Sequence, residues 1–133
     1  MILLDTHALV WMNQDDAALG KAARRLVQTA WEAQELAVSA ISFWECEMLH
    51  AAKRVRLSHS PVAWRAQLLS AGLIEIPVDG EIAMLSVHLD LAHKDPADRF
   101  IAATAIAKGA ALMTADTRLL KWKHALKRHD ATR

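Results

Sequence analysis

The sequence predicts an α/β fold of three layers, α/β/α, around a central parallel sheet of four or five strands. Short, mainly apolar segments at Met1 to Leu4, Leu36 to Ser39 and Ala111 to Thr114 suit strands buried on both faces, the usual state in a parallel sheet. Stretches with helical spacing and capping residues separate them, as right-handed crossovers require. The length of 133 residues and the apolar fraction of 53% suit one domain, 1–133, with a substantial core.

Met1 to Leu4 reads as the first strand. A helix is expected from about Asp16 to Gln34, with Leu19, Ala23, Leu26, Val27 and Ala30 as its apolar stripe. Leu36 to Ser39 is the second strand, and Ser42 begins a helix reaching about Lys53. Ser60-Pro61 opens the next helix, with proline at the first helical position, and Gly72 closes it. Leu73 to Val78 is the third strand. Asp79 caps a helix from Gly80 to Leu91, and Asp95-Pro96 starts an apolar helix ending at Gly109. Ala111 to Thr114 is the fourth strand, followed by a short helix through Leu120. The tail beyond is basic, so a fifth edge strand around Ala125 to Arg128 is weakly signalled.

A net charge of +1 excludes a generally polybasic molecule. Two local runs, Lys53-Arg54-Val55-Arg56 and Lys121 to Arg128, read either as solvated faces or as phosphate contacts. The single cysteine, Cys46, excludes a disulfide framework and reads as a small buried side chain. No signal segment and no apolar stretch of membrane-spanning length is apparent, so a cytoplasmic location without membrane attachment is expected.

Four acids stand at the edges of apolar segments: Asp5 after the first strand, Asp116 after the fourth, and Glu45 and Asp98 in the opening turns of two helices. In an open parallel sheet, ligands bind beyond the carboxyl ends of the strands, where all four can meet. Clustered carboxylates repel, and a divalent cation relieves that repulsion. All-oxygen ligation points to Mg²⁺ or Mn²⁺, one or two ions. Each acid except Asp5 also has a structural reading. Ser42 and Glu45 fit a capping box. Asp95 suits the N-cap of the helix that holds Asp98 in its first turn, and Asp116 suits the cap of the helix from Thr117. Asp5 caps a helix only if one starts at Thr6. Thr6 and Thr114 are placed to bond carboxylates or position a water. Arg99 reads first as an ion pair with Asp98 and second as a phosphate contact. The seven histidines show no close ligand spacing and read as surface or packing residues. The five tryptophans read as core, with Trp11 and Trp44 nearest the acids. A Gly-rich phosphate loop, a Gly-x-Ser-x-Gly turn and a His/Cys zinc cluster are all missing.

These blocks resemble the PIN-domain ribonucleases of the VapC toxin type. The resemblance rests on Leu3-Leu4-Asp5-Thr6-His7-Ala8-Leu9-Val10-Trp11, Ser39-Ala40-Ile41-Ser42-Phe43-Trp44-Glu45, Asp95-Pro96-Ala97-Asp98-Arg99-Phe100-Ile101-Ala102-Ala103-Thr104-Ala105 and Leu112-Met113-Thr114-Ala115-Asp116, in the family's order and over nearly the full length. It implies that Asp5, Glu45, Asp98 and Asp116 form the catalytic metal pocket, with Asp95 a cap or outer residue. It also implies RNA cleavage, a homodimer and a small cognate antitoxin. Arg99, Lys53 and Arg54 are the basic residues expected to steer the RNA. The competing readings are a PIN-like module that binds RNA or protein without cleaving it and, further off, a phosphotransfer domain.

Overall fold

Leu3 and Leu4, neighbours in sequence and both fully buried, point into opposite layers, which defines the first strand as the middle of the sheet. The computed structural model describes residues 1–133. It contains β1 (Ile2–Leu4), α1 (Thr6–Asn13), α2 (Lys21–Glu32), β2 (Leu36–Ser39), α3 (Ala40–Ala51), α4 (Pro61–Ser70), β3 (Ile74–Ile76), α5 (Gly80–His88), α6 (Pro96–Lys108), β4 (Ala111–Thr114), α7 (Thr117–Leu120) and β5 (Arg128–Asp130). The sheet order is β3-β2-β1-β4-β5, and every pairing is parallel.

Alternate residues of each strand feed two cores. Leu4, Leu36, Val38 and Met113 pack with Ala8 and Leu9 of α1, Val27 of α2, Cys46 of α3 and Trp64 of α4. Leu3, Ala37, Ile76 and Leu112 pack with Ile82 of α5, Ile101 and Ala105 of α6, and Leu119 of α7. Burying such a large aliphatic side chain contributes about 1.5–3 kcal/mol each, so both faces are firmly specified. The chain order reverses between β1 and β4, which opens the crevice where ligands bind in such sheets.

The three-layer expectation holds, with five strands. Several boundaries differ from the sequence reading. The segment after β1 is helical at once, and the helix expected from Asp16 is α2, starting at Lys21. α3 begins at Ala40, two residues before the expected Ser42, with Ser39 rather than Ser42 accepting the capping hydrogen bond. The fifth strand exists, shifted to Arg128–Asp130. Its basic character is absorbed by Arg128, whose guanidinium donates to the carbonyls of Leu119, Trp122, His124 and Leu126. Beyond it, the Arg133 backbone lies where a Cβ on Gly20 would stand, so only glycine fits at the N-cap of α2.

The ends of α1, α2, α3, α4 and α6 are closed by a left-handed residue followed by a long backward bond, as at Gln34 (φ 58°), where the Glu35 amide donates to Ala30 at 2.8 Å. A side chain is strained there by about 1–2 kcal/mol. Gln34→Gly is therefore expected to raise stability by up to about 1 kcal/mol, after the glycine's own entropic cost. Urea unfolding checks it, and a loss of stability would show that Gln34 makes an unrecognised contribution.

Candidate active site

Asp5 directly follows β1 and serves as N-cap of α1, its Oδ1 accepting the Ala8 amide at 2.8 Å. Thr114, the last residue of β4, donates its hydroxyl to Asp5 Oδ2 at 2.6 Å. The two central strands thus tie the buried carboxylate at the switch point. Burial pushes the Asp5 carboxyl above the ordinary range, against the Thr114 and Ala8 hydrogen bonds.

Glu45 lies in the second turn of α3, half-buried, and accepts the hydroxyl proton of Thr6. Ser42 Oγ stands 3.1 Å from that same hydroxyl. The capping box expected of Ser42 and Glu45 is corrected: with Ser39 as the cap, Glu45 is free to face the site. Burial raises its carboxyl, and the negative charge of Asp95 adds to that.

Asp95 caps α6 through Oδ1, which accepts the Ala97 and Asp98 amides at 2.9 and 3.4 Å. Asp98, in the first turn of α6, is pushed up to about 6, first by burial and then by Asp95, with His93 acting in the opposite sense. Asp116 caps α7 by accepting the Arg118 amide at 2.8 Å. Burial pushes Asp116 up, but the Arg118 amide and guanidinium and His93 outweigh it and hold the carboxyl below its usual value.

His93 corrects the reading of all the histidines as surface or packing residues. It is 2% exposed, and its Nε2 lies 2.6 Å from Asp98 Oδ2 and 3.1 Å from Asp116 Oδ2. Its Nδ1 accepts the Asp95 amide at 3.4 Å, which assigns the proton to Nε2, facing both acids. The signal was in the sequence as His93-Lys94-Asp95-Pro96, a histidine just ahead of an acidic cap. A search for paired histidines passes over it.

Asp5, Glu45, Asp95, Asp98 and Asp116 line one pocket of about 280 Å³, closed by His7, Trp11, Ala115 and Arg118. Of the basic residues expected near RNA, Arg54 lines an adjacent recess, while Lys53 sits at the end of α3 and lines neither. Arg99 is corrected. It makes no ion pair with Asp98, and its guanidinium donates to the carbonyls of Ser86, Val87, Leu89, Leu91 and His93. All five of its donors are engaged inside the protein. Of the two tryptophans, Trp11 lines the pocket, whereas Trp44 is half-exposed on α3 and lines none of it.

This chain's sequence and fold match known proteins over nearly their whole length. The family model for the PIN domain matches residues 2–124. The chain is 35% identical over 124 residues to Ribonuclease VapC22 of Mycobacterium tuberculosis, covering 92% of each chain. Among solved structures, the fold resembles VapBC2 from Rickettsia felis bound to a DNA fragment from its promoter (TM-score 0.70, 19% identity, 98% of each chain). It also resembles DNA-bound VapBC from Salmonella typhimurium (TM-score 0.68, 18% identity, 97% and 96% covered). The chain belongs to the PIN-domain family.

Proposed function

We propose that the protein is a metal-dependent endoribonuclease, the toxin of a toxin–antitoxin pair, cutting RNA phosphodiester bonds in the cytoplasm. One observation carries the reading: Asp5, Glu45, Asp98 and Asp116 converge on one pocket, and three of the four are raised in pKa. Glu45 Oε2 and Asp98 Oδ1 make no hydrogen bond. Unpaired carboxylate oxygens beside destabilised charges fit one or two Mg²⁺ or Mn²⁺ ions. When bound, such a cation lowers the pKa of a water and neutralises charge on the scissile phosphate. Thr114 and the Ala8 amide fix Asp5, Thr6 fixes Glu45, and His93 holds Asp98 and Asp116 together. A carboxylate oxygen of the pocket that does not hold the cation would accept the proton of the attacking water. Arg118, exposed at the rim, meets the phosphate. The test is fragmentation of total RNA by the purified protein in Mg²⁺ or Mn²⁺ and its loss in EDTA. Intact RNA under every condition would leave a binding module instead.

The partner readings have their own support. Four of the seven exposed large apolar side chains lie on α3 and α5: Trp44, Met48, Met84 and Val87. The pair on α5, Met84 and Val87, is the proposed homodimer contact, so Met84→Glu with Val87→Glu is expected to halve the mass seen by light scattering, whereas an unchanged mass would rule this contact out. The antitoxin reading draws on a recess of about 460 Å³ between α2 and α4, lined by Met12, Val27, Trp31, Trp64 and Leu68. Trp64 Nε1 there is buried without a partner. A small protein encoded alongside that blocks cleavage is the expected partner, and its failure to bind the purified chain would remove it. No helix is long and apolar enough to cross a membrane.

A further inference from the structure

The acidic pocket suits a cation and repels the rest of a polyanionic chain. An RNA strand therefore needs positive charge just outside it, and the structure has such a place. A recess of about 550 Å³ adjoins the pocket, lined by His7, Val10, Trp11, Gln14, Asp16, Leu49, Arg54, Val55 and Arg56. His7 and Trp11 line both spaces, so their rings form the sill between them. The ring centroids stand 6.3 Å apart with planes tilted by 52°, and the His7 ring is exposed.

Arg54 and Arg56 are exposed, and neither guanidinium makes an ion pair or a hydrogen bond within the protein. Their backbones are nonetheless held. The Arg54 amide donates to Leu49 at 2.8 Å, and Gln14 donates its side-chain amide to the Arg56 carbonyl. Two unpaired guanidiniums on a fixed turn contrast with Arg99 and Arg128, which spend their donors on internal carbonyls. The one acid in the recess, Asp16, is committed to capping the Ala18 amide. Guanidinium matches phosphate oxygens in a forked geometry, and aromatic faces stack unpaired bases of any sequence.

We propose that this recess is a nucleotide subsite for the single-stranded RNA next to the scissile phosphate, with phosphates on Arg54 and Arg56 and an unpaired base on the His7–Trp11 sill. The assignment rests on the ribonuclease reading and names its substrate as single-stranded. Duplex RNA buries its bases against each other and offers the sill nothing to stack.

Binding in EDTA separates this from catalysis. A labelled 12-nucleotide single strand and its duplex are titrated by fluorescence anisotropy at several salt concentrations. The parent is expected to prefer the single strand. Arg54→Gln with Arg56→Gln is expected to weaken it about tenfold and to flatten the log–log salt slope by about 1.4, two phosphates at about 0.7 each. Arg25→Gln with Lys108→Gln removes the same charge from exposed positions elsewhere and is expected to change affinity less than twofold. Trp11→Leu, with its melting temperature checked, is expected to weaken the single strand several-fold and erase the preference over duplex. Equal losses in both charge-matched pairs, or unchanged RNA binding in the Arg54/Arg56 pair, would overturn the subsite. So would unchanged RNA binding with lost antitoxin binding, which would make the recess a protein contact. A parent that binds RNA this way but never cuts it would keep the subsite and remove the enzyme.

Discussion

Asp5→Asn is expected to cut RNA at least about 100-fold more slowly than the parent in Mg²⁺, with the fold intact. The substitution keeps an oxygen for the Ala8 amide, and the rotatable Thr114 hydroxyl can turn its lone pair to the new amide. What is lost is the buried negative charge. The sign of the stability effect follows from the raised carboxyl. A folded value above the unfolded one means stability that is complete below the unfolded pKa and lost as pH rises through the folded one. The metal-free parent therefore loses that stability as the pH rises, whereas the neutral amide of the variant does not. In EDTA at pH 7 the variant is expected to melt no lower than the parent, with the difference closing in acid. Adding Mg²⁺ should raise the parent's melting temperature and leave the variant's unchanged. Asp98, pushed up to about 6, adds a pH signature: parental cleavage and Mg²⁺ affinity should fall as the pH drops through that value and the carboxyl takes a proton. Parental cleavage rates in Asp5→Asn would end the assignment of the pocket as the active site.

Much of the frame is legible in the sequence because burial on both faces leaves a simple mark. β2 and β4 coincide with uninterrupted apolar runs, and α6 is bracketed by Asp95-Pro96 and Gly109. The failures have physical causes. α1 starts one residue after β1, without a loop, and Thr6, Ala8, Leu9 and Val10 are all buried, so no polar face marks a helical period. Ser39 and Ser42 both qualify as a cap. Only tertiary packing, which buries Ser42 against Thr6, decides between them. β5 is hidden because a carbonyl-bound arginine looks, in sequence, like a solvated one.

The same distinction runs through the site. Convergence of the four acids is legible because Asp5 and Asp116 follow strands and cap helices at one end of the sheet, while Asp98 lies in the first turn of α6 and Glu45 near the start of α3. The cap and ligand readings were never alternatives, since Asp5 and Asp116 cap a helix with Oδ1 while Oδ2 faces the other site residues. His93 leaves only its position ahead of the acidic cap Asp95 as a mark, because its role depends on a loop whose path is set from Arg99.

Arg99→Lys is accordingly expected to cost about 3 kcal/mol in stability and to weaken Mg²⁺ binding about tenfold, although Arg99 does not line the pocket. α5 ends at His88 without a left-handed closing residue, its C-cap Leu89 being extended at φ −66° and ψ 131°. Its last carbonyls would be orphaned, and Arg99 collects them, bonding Ser86 at 2.9 Å and Leu89 at 3.0 Å. The same guanidinium binds Leu91 at 2.7 Å and His93 at 3.0 Å, pinning the strand of loop whose side chain joins Asp98 to Asp116. A hydrogen bond to a charged group contributes about 1.5–3 kcal/mol, and some of the freed carbonyls can turn to water, which keeps the total near 3. Lysine keeps the charge but offers three donors on one atom, which cannot span five carbonyls. A Lys variant as stable as the parent would show that charge alone suffices. Metal affinity distinguishes a positioning role from a merely structural one. When measured calorimetrically well below the melting temperature, a purely global destabilisation leaves it unchanged, whereas a released His93 loop lowers it and leaves Asp98 and Asp116 to repel each other.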